Sequence, residues 1–180
     1  MYNKMIVRVC AVTALSLISG SVFASTATAT LAVSASISQN CSISTTPLAF
    51  GAYDPVVTNA STPLNQNGSV TVACTKGASG LTVGMDNGLH VSGTQRQMLG
   101  GTSANDLQYN LFQPPNNTPG TACTYPGSTA WTTTGGGLLT LTSPASKAGR
   151  TYNVCGTIPA GQDVSVDSSY TDSVTAAINF

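Results

Sequence analysis

After the first two dozen residues, apolar and polar positions alternate along almost the whole chain. Ala27, Ala29, Leu31, Val33, Ala35 and Ile37 alternate with Ser and Thr, and only Ala32 interrupts the polar face. Further runs follow at Val70, Val72 and Cys74, then at Leu81, Val83 and Met85. Leu107, Tyr109 and Leu111 come next, with Phe112 on the other face, then Leu139 and Leu141. Tyr152, Val154 and Ile158 precede a last run of Val174, Ala176, Ile178 and Phe180. Period two places one side of each run against a core and predicts strands. Between the runs lie turn signals: Asn67-Gly68, Lys76-Gly77, Asn87-Gly88, Pro114-Pro115, Pro126-Gly127 and Ala160-Gly161. Pro114 to Gly137 reads as a long loop with Cys123 in its middle. Many short strands at this spacing predict an all-β sandwich.

Residues 1–24 read as an export signal. Lys4 and Arg8 supply positive charge, Val9 to Ile18 form a short apolar run, and Val22-Phe23-Ala24 offers small residues on either side of Phe23 before a cut after Ala24. The apolar run is shorter than the ~20 residues a spanning helix needs. Removing the signal removes Cys10 and leaves Cys41, Cys74, Cys123 and Cys155, an even set that reads as two disulfides in an oxidising compartment. Three pairings are possible, and the sequential one, Cys41–Cys74 with Cys123–Cys155, is expected. Each bond then contributes roughly 3–4 kcal/mol by restricting the unfolded chain.

Composition narrows the function. The charged residues are 7% of the chain, with no Glu, while Ser and Thr make up 47 of the 180 residues. Six scattered Lys and Arg cannot build a basic patch, which excludes a nucleic-acid binder. The 41% hydrophobic content with no net charge argues against disorder. His90 is the single His, in the Gly-rich stretch Asn87-Gly88-Leu89-His90, and reads as an exposed loop residue. No C-x-x-C pair accompanies it, so neither a metal nor another cofactor is expected. No G-x-S-x-G elbow or base–nucleophile pair is present, and no enzyme activity is expected. Asp54, Asp106 and Asp172 are expected to bond turns and strand ends. Trp131, near Tyr125, is a candidate for stacking on a sugar or for packing over the Cys123 disulfide.

Both ends of the pattern are unusual for a closed sandwich. A long alternating segment precedes the first retained Cys, and the last strand-like run ends on an apolar residue. The expectation is a sheet that lacks an inner strand and leaves a groove open. Ala27, Ala29, Leu31, Val33, Ala35 and Ile37 would form the strand that fills such a groove in a neighbour, and Val174, Ala176, Ile178 and Phe180 its final-strand wall.

Several segments then resemble a family, in the family's order and over most of the chain after the signal. They are Leu48-Ala49-Phe50-Gly51-Ala52-Tyr53-Asp54-Pro55, Arg96-Gln97-Met98, Leu107-Gln108-Tyr109-Asn110-Leu111-Phe112 and Ile158-Pro159-Ala160-Gly161-Gln162. The close from Tyr170-Thr171-Asp172-Ser173-Val174 to Phe180 completes the set. These resemble spore coat protein U-like domains, a family that includes subunits of archaic, Csu-type chaperone–usher pili. The resemblance implies an incomplete immunoglobulin-like sandwich completed by donor-strand exchange, with residues 25–38 as donor segment and 39–180 as the pilin domain. It implies a structural pilus subunit serving adhesion and biofilm formation, exported through the periplasm to the cell surface. Its expected partners are neighbouring subunits, a periplasmic chaperone and an outer-membrane usher. A non-fibrous spore-coat or surface protein of the same fold and a secreted carbohydrate-binding adhesin are the alternative readings.

Overall fold

The computed structural model describes residues 23–180. Residues 1–22, all but the last two of the expected export signal, lie outside the described residues. The chain divides into two units, residues 1–36 and residues 37–180. In the first, residues 23–36 carry no secondary structure and every side chain is exposed. The alternation from Ala27 onward therefore does not appear as a strand. Alternation makes a segment fit to pair, but a strand exists only where a ladder forms.

The second unit is built of ten strands. They are β1 (Cys41–Thr46), β2 (Leu64–Cys74), β3 (Thr82–Met85), β4 (Val91–Ser92) and β5 (Gln95–Gly100). The rest are β6 (Asp106–Phe112), β7 (Leu139–Thr140), β8 (Arg150–Ile158), β9 (Tyr170–Thr171) and β10 (Ala176–Asn179). One sheet runs β1-β2-β8-β6-β5-β4, with β9 also on β5, and a second runs β10-β3-β7. Every ladder is antiparallel.

The alternation sorts these strands as expected. Val70, Val72, Val83, Leu107, Leu111, Leu139, Tyr152, Val154 and Ile158 enter one buried cluster between the sheets. Strand β8 is buried on both faces around Val154 and Gly156. Cys155 faces away from the core yet is buried, because it is bonded to Cys123 in the long loop after β6. The other disulfide joins Cys41 to Cys74, directly opposite each other at the first residue of β1 and the last of β2.

Asn67-Gly68 is not a turn: it lies inside β2, paired with β8 through Gly68↔Val154. A Cβ on Gly68 would lie 2.9 Å from the Thr46 carbonyl oxygen and 3.0 Å from the Leu48 Cβ. This glycine is there for close approach of a crossing segment, not for turn conformation. The final strand is also shorter than the alternation predicts, Ala176–Asn179 rather than Val174 to Phe180.

Candidate functional site

The segment that leaves β1 crosses the first sheet as it descends. Two glycines admit it. Gly68 on β2 faces Thr46 and Leu48, and a Cβ on Gly156 of β8 would lie 2.8 Å from the Phe50 ring and against Leu48. Leu48 and Phe50 thus settle on the sheet, and the Phe50 ring meets Tyr109 of β6 edge-on at 6.3 Å between centroids. The Tyr53 hydroxyl donates to the Pro159 carbonyl (2.9 Å) and accepts the Gln162 N–H (3.1 Å). Gln162 brackets Gln108 of β6, accepting its N–H at 2.8 Å and donating to its carbonyl at 2.9 Å. Asp54 closes the turn beyond, accepting the Val56 and Val57 N–H groups. The Val57 amide and then that of Val56 hold its carboxyl below the usual range.

The side of an open cleft opposite residues 45–55 is lined by residues from 164–176. Asp172 anchors it, accepting the Leu89 N–H (2.9 Å), the His90 N–H (3.1 Å) and the Tyr109 hydroxyl (2.6 Å). A side chain on Gly88, at φ +84, would strike the Asp172 carboxylate. Asp86, at the end of β3, accepts the Thr175 N–H at 2.8 Å and the Gly88 N–H at 3.0 Å. Arg96 of β5 bolts the two sheets together from inside. Its guanidinium is 5% exposed and donates to the Asp86 carbonyl (3.0 Å), the Met85 carbonyl (3.2 Å) and the Trp131 carbonyl (3.0 Å). Burial pushes its pKa down, while Tyr109, Asp86 and Asp172 act in the other direction. Burial, then the bond to Asp172, pushes the Tyr109 hydroxyl far above its ordinary value. At neutral pH Tyr109 is therefore a neutral donor.

Between residues 45–55 and 164–176 the sandwich is open as a cleft. At the far end β1 and β10 approach within 8 Å of each other, so a strand, which needs its flanking edges ~10 Å apart, enters there only as the edges part. Two clefts, of about 390 Å³ and about 820 Å³, share Leu48, Phe50, Met98 and Asp172 as lining and so form one groove. Leu48, Met98, Val174 and Ala176 line the cleft and pack on the core but are only half covered. The backbone along both edges is free as well. β1 pairs only with β2, and β10 only with β3. The Thr75 N–H bonds the Asn40 carbonyl at 2.9 Å, which continues the β1–β2 ladder by one pair. Even-numbered residues of β1 therefore spend their backbone groups on β2, and Cys41, Ile43 and Thr45 turn theirs to the open side. On β10 the Asp86 N–H bonds the Thr175 carbonyl at 3.0 Å, so Ala176 and Ile178 are the residues facing out. Thr45 on one edge and Ala176 on the other both line the cleft and turn unpaired peptide groups outward.

Of the expected final-strand residues, Val174 and Ala176 line the cleft, Ile178 packs on the core outside it, and Phe180 is 53% exposed. Leu31, Val33 and Ile37 are 86%, 86% and 87% exposed. Trp131 is 0% exposed and belongs to the core, so it offers no face to a sugar. His90 is half-buried rather than exposed. Among the described residues no group of His, Cys, Asp or Glu could hold a metal ion. The groove residues that alternation alone did not single out are Leu48, Phe50, Met98 and Asp172. Their only signal was membership of the resembling segments.

The upper end of the wall carries a test of its own. Asp167 accepts the Thr102 and Ser103 N–H groups, both at 2.8 Å, and the Ser169 N–H at 3.2 Å. The amides of Ser103, Thr102 and Ser169, in that order, hold its carboxyl well below the usual range. A depressed folded-state pKa means that the unfolded chain binds the proton first. Its contribution is complete above the unfolded value of about 3.9 and is lost as pH falls below that. Asp167→Asn should therefore lower stability at pH 7 and shrink the loss between pH 5 and pH 3, as read from thermal midpoints across that range. An unchanged acid limb would show that Asp167 plays no part in it.

A family model for the Spore Coat Protein U domain matches residues 27–177. No curated protein matches the chain. Among solved structures, the chain is similar to one in the chaperone–tip adhesion subunit pre-assembly complex, CsuC–CsuE, from archaic chaperone–usher Csu pili of Acinetobacter baumannii. The identity is 20% and the TM-score 0.50, over 79% of this chain and 40% of that one, so this chain spans well under half of its neighbour's length. That likeness supports the sandwich architecture. With the family match running from the exposed alternating segment to the final strand, the chain belongs to the Spore Coat Protein U domain family.

Proposed function

We propose that this protein is a structural subunit of a surface pilus assembled by a chaperone–usher pathway, in which the segment Ala27–Ile37 of one copy completes the sandwich of the next. One observation carries the reading. The open groove is flanked by two unpaired edges, and the same chain holds an exposed, unpaired segment whose alternation matches that of the walls. Strand addition joins main-chain hydrogen bonds to side-chain pockets, and each edge here presents both. Residues 25–38 act as donor and residues 39–180 as acceptor domain, after export of the chain and removal of residues 1–24.

The partners follow from the same groove. Before assembly its apolar floor needs cover, which a periplasmic chaperone supplies; an outer-membrane usher then exchanges that cover for the next subunit. The solved neighbour, a chaperone–subunit complex, supports this order of events. The fibre serves adhesion and biofilm formation, and the protein is not an enzyme. The test is complementation in vitro. The subunit lacking residues 25–38 should self-associate when purified alone. Added peptide spanning 25–38 should convert it to a heat-resistant monomer. A truncated subunit that is monomeric and equally heat-resistant without peptide defeats the proposal.

A further inference from the structure

The chain's own donor segment is attached next to its own groove, and nothing in the sequence pattern forbids it from folding back. Only Ser38, Gln39 and Asn40 separate Ile37 from Cys41. Three residues suffice for a hairpin, usually with the third in the left-handed region, which Asn tolerates. Such a hairpin pairs Ile37 with Cys41, Ala35 with Ile43 and Val33 with Thr45. The parity fits: Cys41 and Ile43 are the half-buried residues of β1, Ser42 is exposed, and the odd-numbered donor residues are the apolar ones. The outward peptide groups of Cys41, Ile43 and Thr45 are free to receive it. A self-capped subunit would bury its own groove and leave no donor for a neighbour.

Residues 38–40 are held in the opposite geometry. They continue the line of β1 past Cys41 along residues 75–79. The Gln39 side-chain amide behaves like a peptide unit, donating to the Ser79 carbonyl (3.1 Å) and accepting the Ser79 N–H (3.0 Å). The Thr75 hydroxyl accepts the Asn40 N–H at 3.1 Å and reaches the Ser38 and Asn40 carbonyls, both at 3.3 Å. The Thr75 N–H bonds the Asn40 carbonyl at 2.9 Å. The Cys41–Cys74 bond closes the set from below. A hairpin at 38–40 must break every contact of this collar except the disulfide. We infer that the Gln39–Ser79 and Thr75 collar blocks self-capping and so commits the donor segment to a second copy of the chain. This rests on the donor–groove reading above and specifies which groove the donor enters.

The experiment refolds the full chain, without residues 1–24, at high dilution, where exchange between copies is slow. Three forms are compared: wild type, Gln39→Ala, and Gln39→Ala with Thr75→Val. Each is then offered a labelled peptide of residues 25–38. The double variant should give at least tenfold more heat-resistant monomer that refuses the peptide than wild type does, and Gln39→Ala an intermediate amount. Gln39 is exposed, so its replacement leaves the core intact and keeps the test valid if the double variant folds poorly. Adding Leu31→Asp to either variant should restore peptide uptake, because the internal donor is then spoiled. Wild-type uptake by both collar variants overturns the inference and leaves the groove reading standing. Refusal of peptide that persists with Leu31→Asp also overturns it, since the block is then not the chain's own donor. Refusal by the wild type and by its Leu31→Asp form alike overturns the groove reading and the inference with it.

Discussion

Leu31→Asp and Val33→Asp should each abolish fibre formation in cells that supply the chaperone and usher, while Thr30→Asp should leave it nearly intact. The side chains of Leu31 and Val33 are each 86% exposed in the isolated chain. On the proposed insertion into a neighbour's groove, each would stabilise the joint by about 1.5–3 kcal/mol, and Ile37 would add a similar amount. A carboxylate at either position would instead be buried without a partner, at a cost of several kcal/mol. The swing at one residue is then large enough to prevent insertion. Thr30 lies on the other face, and a one-residue slip that rescued Leu31→Asp would drive Thr30 and Ser34 inward. Fibres are scored by electron microscopy beside a blot for exported subunit. Wild-type fibres from all three variants mean that the segment is not the donor. Fibres from Leu31→Asp and Val33→Asp but not from Thr30→Asp mean that the facing is reversed.

Arg96→Leu should destabilise the peptide-complemented subunit by at least about 3 kcal/mol, read from chemical denaturation. Three carbonyls, those of Met85, Asp86 and Trp131, lose a charged donor in a place where Arg96 is 5% exposed. Each buried acceptor left unsatisfied costs about 1–3 kcal/mol. The effect should spread to the groove, because Asp86 also receives the Thr175 N–H that sets the start of β10. Peptide uptake should weaken along with stability. Arg96→Lys should recover only part of the loss, since a point ammonium cannot span carbonyls at the end of β3 and in the Trp131 loop. A loss below about 1 kcal/mol would show that water replaces the guanidinium without penalty.

Alternation made the core legible because it reports a property of single strands. Val70, Val72, Leu107, Leu111, Tyr152 and Val154 needed nothing beyond period two to be placed inward, and the buried cluster contains them all. What period two does not report is which strand lies beside which, or where a chain crosses a sheet. Gly68 shows the cost. Beside Asn67 it has the local signature of a turn, yet its role is set by Thr46 and Leu48, twenty or more positions earlier. The resembling segments were visible as a set, but their purpose lay in contacts among them. Tyr53 bonds Pro159 and Gln162, Gln162 bonds Gln108, and Tyr109 bonds Asp172. Trp131 sits in a Thr-rich loop whose sequence left both sugar stacking and packing open, and only the third dimension places it in the core.

The position of the first disulfide also decides how the domain carries tension. β1 is bonded along one edge only, so a pull on the residues before Cys41 would peel it from β2 one pair at a time. Once the bonds of Gln39 and Asn40 to Ser79 and Thr75 give way, Cys41 is the next residue in line, and it is covalently fixed to Cys74. The load passes instead to β2, the strand held on both sides, and draws it lengthwise against β8. That ladder runs unbroken from Leu64↔Ile158 to Val72↔Arg150. Loaded in shear, its hydrogen bonds resist together rather than in succession, so a single cross-link turns an edge that would unzip into an anchorage as strong as the middle of the sheet.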